Sequence, residues 1–208
     1  MPKKIAPSFC FIGNHLALDF MNTKVVADGK LVDLLQTSDD VWNWLNQTDL
    51  LVDQPTDSVT QWRAGSSLVE EAIELRTALH AILLQGMQGA EAAFEEVERV
   101  NRFLRSKVIT TTLLQQGGQF FSVRHIEAQR PADLLLPVAE AAVDLLTKYD
   151  LRLVKKCENP QCVLHFYDNS KNSTRRWCSQ KTCGNRMKVA AYLERRKRAE
   201  NEETKNPG

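Results

Sequence analysis

Four cysteines near the end of the chain carry its clearest chemistry: Cys157, Cys162, Cys178 and Cys183, spaced C-x4-C-x15-C-x4-C. Each close pair offers two sulfurs from one tight loop. The segment between the pairs is long enough to fold back and set the second pair beside the first. Four thiolates around Zn2+ at about 2.3 Å complete a tetrahedral shell, so such a metal is structural and has no open position for a substrate. Its role would be to fold a segment too small to hold a core of its own. Two short disulfides are the alternative, and an intracellular chain favours the metal. The commonest ribbons use C-x2-C, and both pairs here have two extra residues. His165, three residues after Cys162, is a fifth candidate ligand, although Phe166 and Tyr167 beside it read as a strand. Cys10, in F-C-F-I, reads as a small buried hydrophobe.

The cysteines sit among cations. Residues 1–150 hold 13 Lys+Arg against 20 Asp+Glu, a net of −7; residues 151–208 hold 14 against 6, a net of +8. An acidic body with a basic end is a polarity suited to a polyanion. Four thiolates with Zn2+ add a charge of about −2, which nearby arginines would offset first. More cations remain than that cluster needs. RMKVAAYLERRKR, residues 186–198, reads as a helix with a narrow stripe of Val189, Tyr192 and Leu193. The candidate phosphate-binding residues are Lys171, Arg175, Arg176, Arg186, Lys188, Arg195, Arg196 and Arg198, with Asn172, Ser173 and Thr174 as neutral donors. A solvated basic helix without a partner is the competing reading. Phe166, Tyr167 and Trp177 could instead stack single-stranded RNA, or Trp177 could cover the zinc cluster.

The elements that must hold this end in place read as mainly α, in an α+β chain. The expected body, residues 1–150, is helical with one β-hairpin. A small zinc-ribbon-like finger with a basic helix follows at 151–200, then a polar tail at 201–208 that frays. Ser38 is expected to cap a helix carrying Val41, Trp42, Leu45 and Leu50, with DQPTDS around Pro55 as a loop. Leu68, Ala72, Leu75, Leu79 and Ile82 mark one stripe of a helix over 66–85. A second helix over 90–106 presents Phe94, Val97, Asn101 and Leu104. Gly117-Gly118 turns a hairpin over 108–126. Pro131 opens a core helix over 131–148, with Leu135, Val138, Ala139, Ala142, Val143 and Leu146 inward.

GNHLALDFMNT, residues 13–23, alternates polar and apolar residues. It reads as an N-terminal element whose Asp and Asn cap nearby backbone. The functional alternative is a small-molecule pocket of Asn14, His15, Asp19, Asn22 and Thr23, with His15 and Asp19 on one helix face. No nucleophile or glycine-rich phosphate loop accompanies them, so no enzyme is expected. No apolar run approaches the roughly 20 residues of a membrane span, and the polar interruptions after residue 7 make a poor secretion signal, so a cytoplasmic protein is expected.

CENPQCVLHFYDNSKNSTRRWCSQKTCGNRMK resembles the CGNR zinc finger, named for Cys183-Gly184-Asn185-Arg186. Residues 152–198 carry the match, including its D-x-S/T-x-N-x-x-R-R-W-C segment from Asp168 to Cys178. GNHLALDFMNT and LLLPVAEAAVDLL (residues 134–146) resemble the ABATE domain that usually precedes this finger. That family more often opens with two glycines, so Asn14 is a departure. The resemblance implies a stress-response transcription regulator whose finger binds DNA, one structural zinc, and a body that senses an effector or mediates association, homo-oligomers included. An RNA-binding or protein-interaction zinc module is the alternative.

Overall fold

The computed structural model describes residues 7–51, 67–105 and 109–205. The loop expected around Pro55, the first residue of each helix or hairpin expected at 66 and 108, and the last three residues of the tail lie outside them.

The first element answers the alternating GNHLALDFMNT. It is a short helix, α1 (Leu16–Met21), with Ala17, Leu18, Phe20 and Met21 buried. His15 caps it: its Nδ1 accepts the Ala17 N–H, so His15 stands outside the helix and does not share a face with Asp19. A hairpin follows, β1 (Lys24–Ala27) with β2 (Lys30–Asp33), turning at Asp28 and Gly29, both at positive φ. The body was expected to hold one hairpin and holds this second one as well. Asp-Gly between VVA and KLV is a strong two-residue turn signal, and it accounts for this extra hairpin.

Helix α2 (Ser38–Gln47) is capped by Thr37 rather than Ser38, in a reciprocal box with Asp40. Ser38 is the first helical residue and is buried. Trp44 is fully buried against Phe20. Helix α3 (Ser67–Met87) buries the whole expected stripe, from Leu68 to Ile82. Helix α4 (Phe94–Leu104) packs on it through Val100 and Phe103. Phe94 is 73% exposed and Val97 is also exposed, so the buried face is rotated from the expected one. The outward face is fixed by Arg102, which bonds Glu71 and Glu74 of α3 at 2.6 and 2.8 Å.

The Gly117-Gly118 hairpin forms as read, from β3 (Ile109–Gln116) and β4 (Gln119–Ile126), with both glycines at positive φ. It stands away from the core, with Leu113 and Phe120 largely exposed. Pro131 then opens a 3-10 turn (Pro131–Leu135), and helix α5 begins behind it (Leu136–Lys148). Leu135, Val138, Ala139 and Ala142 are buried as expected; Val143 is exposed and Leu145 takes the inward position. Helices α1 to α5 enclose one apolar core.

The last third is small. Strands β5 (Val154–Lys156) and β6 (His165–Tyr167) pair antiparallel over three residues each. A π-helical turn (Gln180–Gly184) leads into helix α6 (Asn185–Lys205). The helix continues through residues expected to fray as tail. Two three-residue strands cannot stand alone in water, and the N-terminal segment supplies what they lack. Tyr167 N donates to Gly13 O at 2.8 Å, and Asn14 Nδ2 donates to Tyr167 O at 3.0 Å. Asn22 Oδ1 accepts from His165 N at 2.9 Å while its Nδ2 donates to His165 O at 2.8 Å. The amide of Asn22 thus acts as a missing strand residue on the outer edge of β6. Cys10 and Ile12 pack, half-buried, against the apolar side of the finger.

Asn22→Ala strands a buried donor and acceptor at once. Each orphaned group costs about 1–3 kcal/mol, so urea unfolding should show a loss of roughly 2–4 kcal/mol. A change within about 0.5 kcal/mol, the size of ordinary surface substitutions, would show that β6 does not need this edge.

Candidate metal centre and basic surface

Cys157 directly follows β5, and Cys162 follows a turn in which Asn159 O accepts the Cys162 N–H at 2.9 Å. Cys183 lies in the π-helical turn, and Cys178 enters it from the preceding loop. One pair therefore comes from a strand-edge knuckle and the other from the head of a helix. Gly184 does not need a positive φ there; a Cβ on it would meet the Gln180 side chain at 2.7 Å.

The four sulfurs lie within 4.8 Å of one another, and all four cysteines are buried and unpaired by disulfides. Cys162 and Cys178 sulfurs are 3.8 Å apart, and those of Cys178 and Cys183 are 3.5 Å apart. Tetrahedral Zn–S bonds of about 2.3 Å place sulfurs about 3.8 Å apart, so the donor set fits zinc. Without a metal the thiols do not share one acidity. The hydrogen bond from Cys178 pulls the Cys162 thiol down to about 5, and the same bond pushes Cys178 up. Asn159 Nδ2 donates to Cys183 Sγ at 3.3 Å. These four cysteines form a single structural zinc site. His165 is not part of it: its ring lies edge-on to His80, centroids 5.7 Å apart.

The loop from residue 168 to 177 is organised by one buried carboxylate. Asp168 accepts from Lys155 Nζ (2.6 Å), Ser170 N (3.0 Å), Ser170 Oγ (2.6 Å) and Arg175 N (2.9 Å). Burial pushes its pKa up, but these donors outweigh it and hold the group at about 2. A depressed carboxylate stabilises fully above its unfolded value, and the contribution is lost as pH falls from about 4 toward 2.

The cations divide into three groups. Arg175 is built into the finger: its guanidinium donates to Trp177 O and Ile12 O at 3.0 Å and lies 4.0 Å from the Phe166 ring centroid. It was a candidate for phosphate, and its donors are instead turned inward. Arg176, Arg196 and Arg198 are exposed and pair with Glu158, Glu200 and Glu194. Lys171, Arg186, Lys188, Arg195 and Lys197 are exposed and have no ion pair among the described residues. Lys188 and Arg195, two turns apart, share one flank of α6; Arg186 and Lys197 share the other. Val189, Tyr192 and Leu193 run between them, about half exposed. Sequence reading did not set Lys197 apart from its neighbours, because pairing along a helix depends on which glutamate lies four residues away.

The polar residues of 13–23 do not converge on one cavity. Asp19 accepts the Gly13 N–H at 2.7 Å, and Thr23 bonds Phe20 O and Arg76. Asn14 and Asn22 hold β6. His15 faces Asp144 at 3.7 Å.

Cys178→Ser should abolish binding of the one zinc per chain, read by elemental analysis; a stable, metal-free native protein would overturn the assignment. Asp168→Asn keeps the shape but removes the charge-assisted bonds, and should cost about 1.5–3 kcal/mol at neutral pH with zinc content retained, by denaturation and metal analysis.

No curated protein matches the chain closely enough to serve as a relative. Two family descriptions match it. Residues 14–149 match ABATE, described as "Putative stress-induced transcription regulator". Residues 153–196 match the CGNR zinc finger. Neither is a family of enzymes. The structure also accounts for the departure at position 14. Its φ is +60°, a conformation that glycine adopts freely and asparagine tolerates. Asparagine keeps the turn and adds the bond to β6. The segment that opens the ABATE match folds into α1, the four cysteines of the finger form a donor set that fits one zinc, and the two matches together span almost the whole described structure: the chain belongs to the ABATE family and carries a CGNR zinc finger toward its C-terminal end.

Proposed function

We propose that this protein is a DNA-binding transcription regulator in which the finger, residues 151–200, presents α6 to the phosphate backbone and the body, residues 1–150, carries it. The observation that supports this most is the set of unpaired cations on both flanks of a helix anchored at the zinc centre. Lys188 and Arg195 lie about 10 Å apart along the axis, and Arg186 and Lys197 about 16 Å apart. Lys171 projects from the loop that Asp168 organises. Arg176, Arg196 and Arg198 sit in exposed pairs, which are worth little in water and exchange readily for phosphate. Arg175 is left out of this surface.

The aromatic residues weigh against RNA stacking. Phe166 is fully buried beneath Arg175, and Trp177 is half-buried with Arg176 over its face at 5.0 Å. A protein partner is the second reading, favoured by the exposed Val189, Tyr192 and Leu193. No helix among the described residues is long and apolar enough to cross a membrane.

Each phosphate contact contributes a slope of about −0.9 to log K against log salt concentration. Lys188→Ala with Arg195→Ala should therefore flatten the slope by about 2 and weaken duplex binding, with zinc content unchanged. The check is fluorescence anisotropy with random-sequence duplexes across a salt series. Salt-independent affinity of the parent protein would sink the reading.

A further inference from the structure

A cavity of about 410 Å³ lies between the body and the finger. Met21, Lys24 and Leu31 line it from the first elements of the body. Arg76, Thr77, His80 and Leu84 line it from α3, and Lys156, Val163 and His165 from the finger. Its size falls within the roughly 300–1,000 Å³ usual for small-molecule sites. The site already described does not use it, since the zinc ligands face elsewhere.

Three observations define what it would hold. First, no carboxylate among the described residues lines it, while three cationic side chains do. Arg76 is engaged by Asp33 and Thr23. Lys24 lies 3.8 Å from Asp33. Lys156 is exposed and has no ion pair among the described residues. Second, His165 is only 4% exposed, and its Nε2 has no hydrogen-bond partner among the described residues. A buried polar atom left alone in a cavity wall marks where a partner belongs. Third, Met21, Leu31, Leu84 and Val163 make the rest of the wall apolar. The field inside is positive. Burial lowers the pKa of His80, and Lys24, Arg76 and Lys156 lower it further. Burial, His80 and Lys156 bring His165 down to about 4. At neutral pH His165 is thus an uncharged hydrogen-bonding group beside fixed positive charge.

We propose that this cavity is a binding site for a small organic anion, a carboxylate or phosphate ester with an apolar body. The anionic group sits between Lys24 and Lys156, the ring of His165 hydrogen-bonds it, and the apolar part lies against Met21 and Leu84. The ligand touches α3 and β6 together, next to the Asn22 bonds, so its binding ties the body to the finger. This goes beyond the nucleic-acid reading and does not depend on it.

The test needs no DNA. The full-length, zinc-loaded chain is titrated calorimetrically with phenylacetate, phenyl phosphate, the neutral 2-phenylethanol and inorganic phosphate. One of the two aromatic anions is expected to bind at least about tenfold more tightly than 2-phenylethanol and than inorganic phosphate; which of the two wins identifies the headgroup. Lys24→Gln with Lys156→Gln should weaken that binding at least about tenfold, with zinc content and helicity unchanged. Leu84→Trp, which fills the apolar wall and leaves both lysines, should abolish it. The proposal fails if neither aromatic anion binds, if the alcohol or inorganic phosphate binds as well, or if both variants bind like the parent.

Discussion

The outer edge of β6 is the constraint around which the molecule is arranged. A strand edge leaves backbone donors and acceptors that must find partners. Here the partners are not another strand but Gly13, Asn14 and Asn22, from the opposite end of the chain. That choice explains several local features at once. Residue 14 takes a left-handed backbone so that its side chain reaches Tyr167. Helix α1 ends at Met21, and Asn22 behind it is free to bond β6. Arg175 turns inward to bond Ile12 O, the neighbouring carbonyl of the same segment.

The zinc centre and this edge divide the task of making a small finger rigid. Four thiolates fix the knuckle and the head of α6, and the N-terminal segment fixes the strand between them. Asp168 ties the intervening loop to Lys155. The cations then fall into distinct environments through geometry alone. Arg175 near the cluster is held by carbonyls and a ring, while along α6 Arg196 and Arg198 pair with glutamates and Arg186, Lys188, Arg195 and Lys197 are left to solvent.

Much of this was legible in the chain. The cysteine spacing identified the metal site because ligand number and loop length are local properties. The stripe of α3 and the Gly117-Gly118 hairpin were equally local. Long-range pairings were not. Nothing in TRRWC distinguishes Arg175, one of whose partners lies 163 residues away, from Arg176, which is exposed and pairs with Glu158. The inward face of α4 is not fixed by its periodicity, which permits two stripes; Val100 and Phe103 pack inward only in the folded context of α3 and α5. The cavity draws on residues from 21 to 165, so no single segment announces it. The Asp28-Gly29 turn is different: its signal is local, a two-residue Asp-Gly between VVA and KLV.

The pairing of Asn22 with His165 also sets a timetable. The two residues are 143 positions apart. At roughly 5–20 residues per second, the ribosome delivers the second about 7–30 s after the first. For that interval α1 and the hairpin behind it exist without their counterpart, and the segment before them hangs free. Helix α1 is therefore completed by a segment made much later, and a nascent body becomes whole only when the metal-binding finger has left the tunnel.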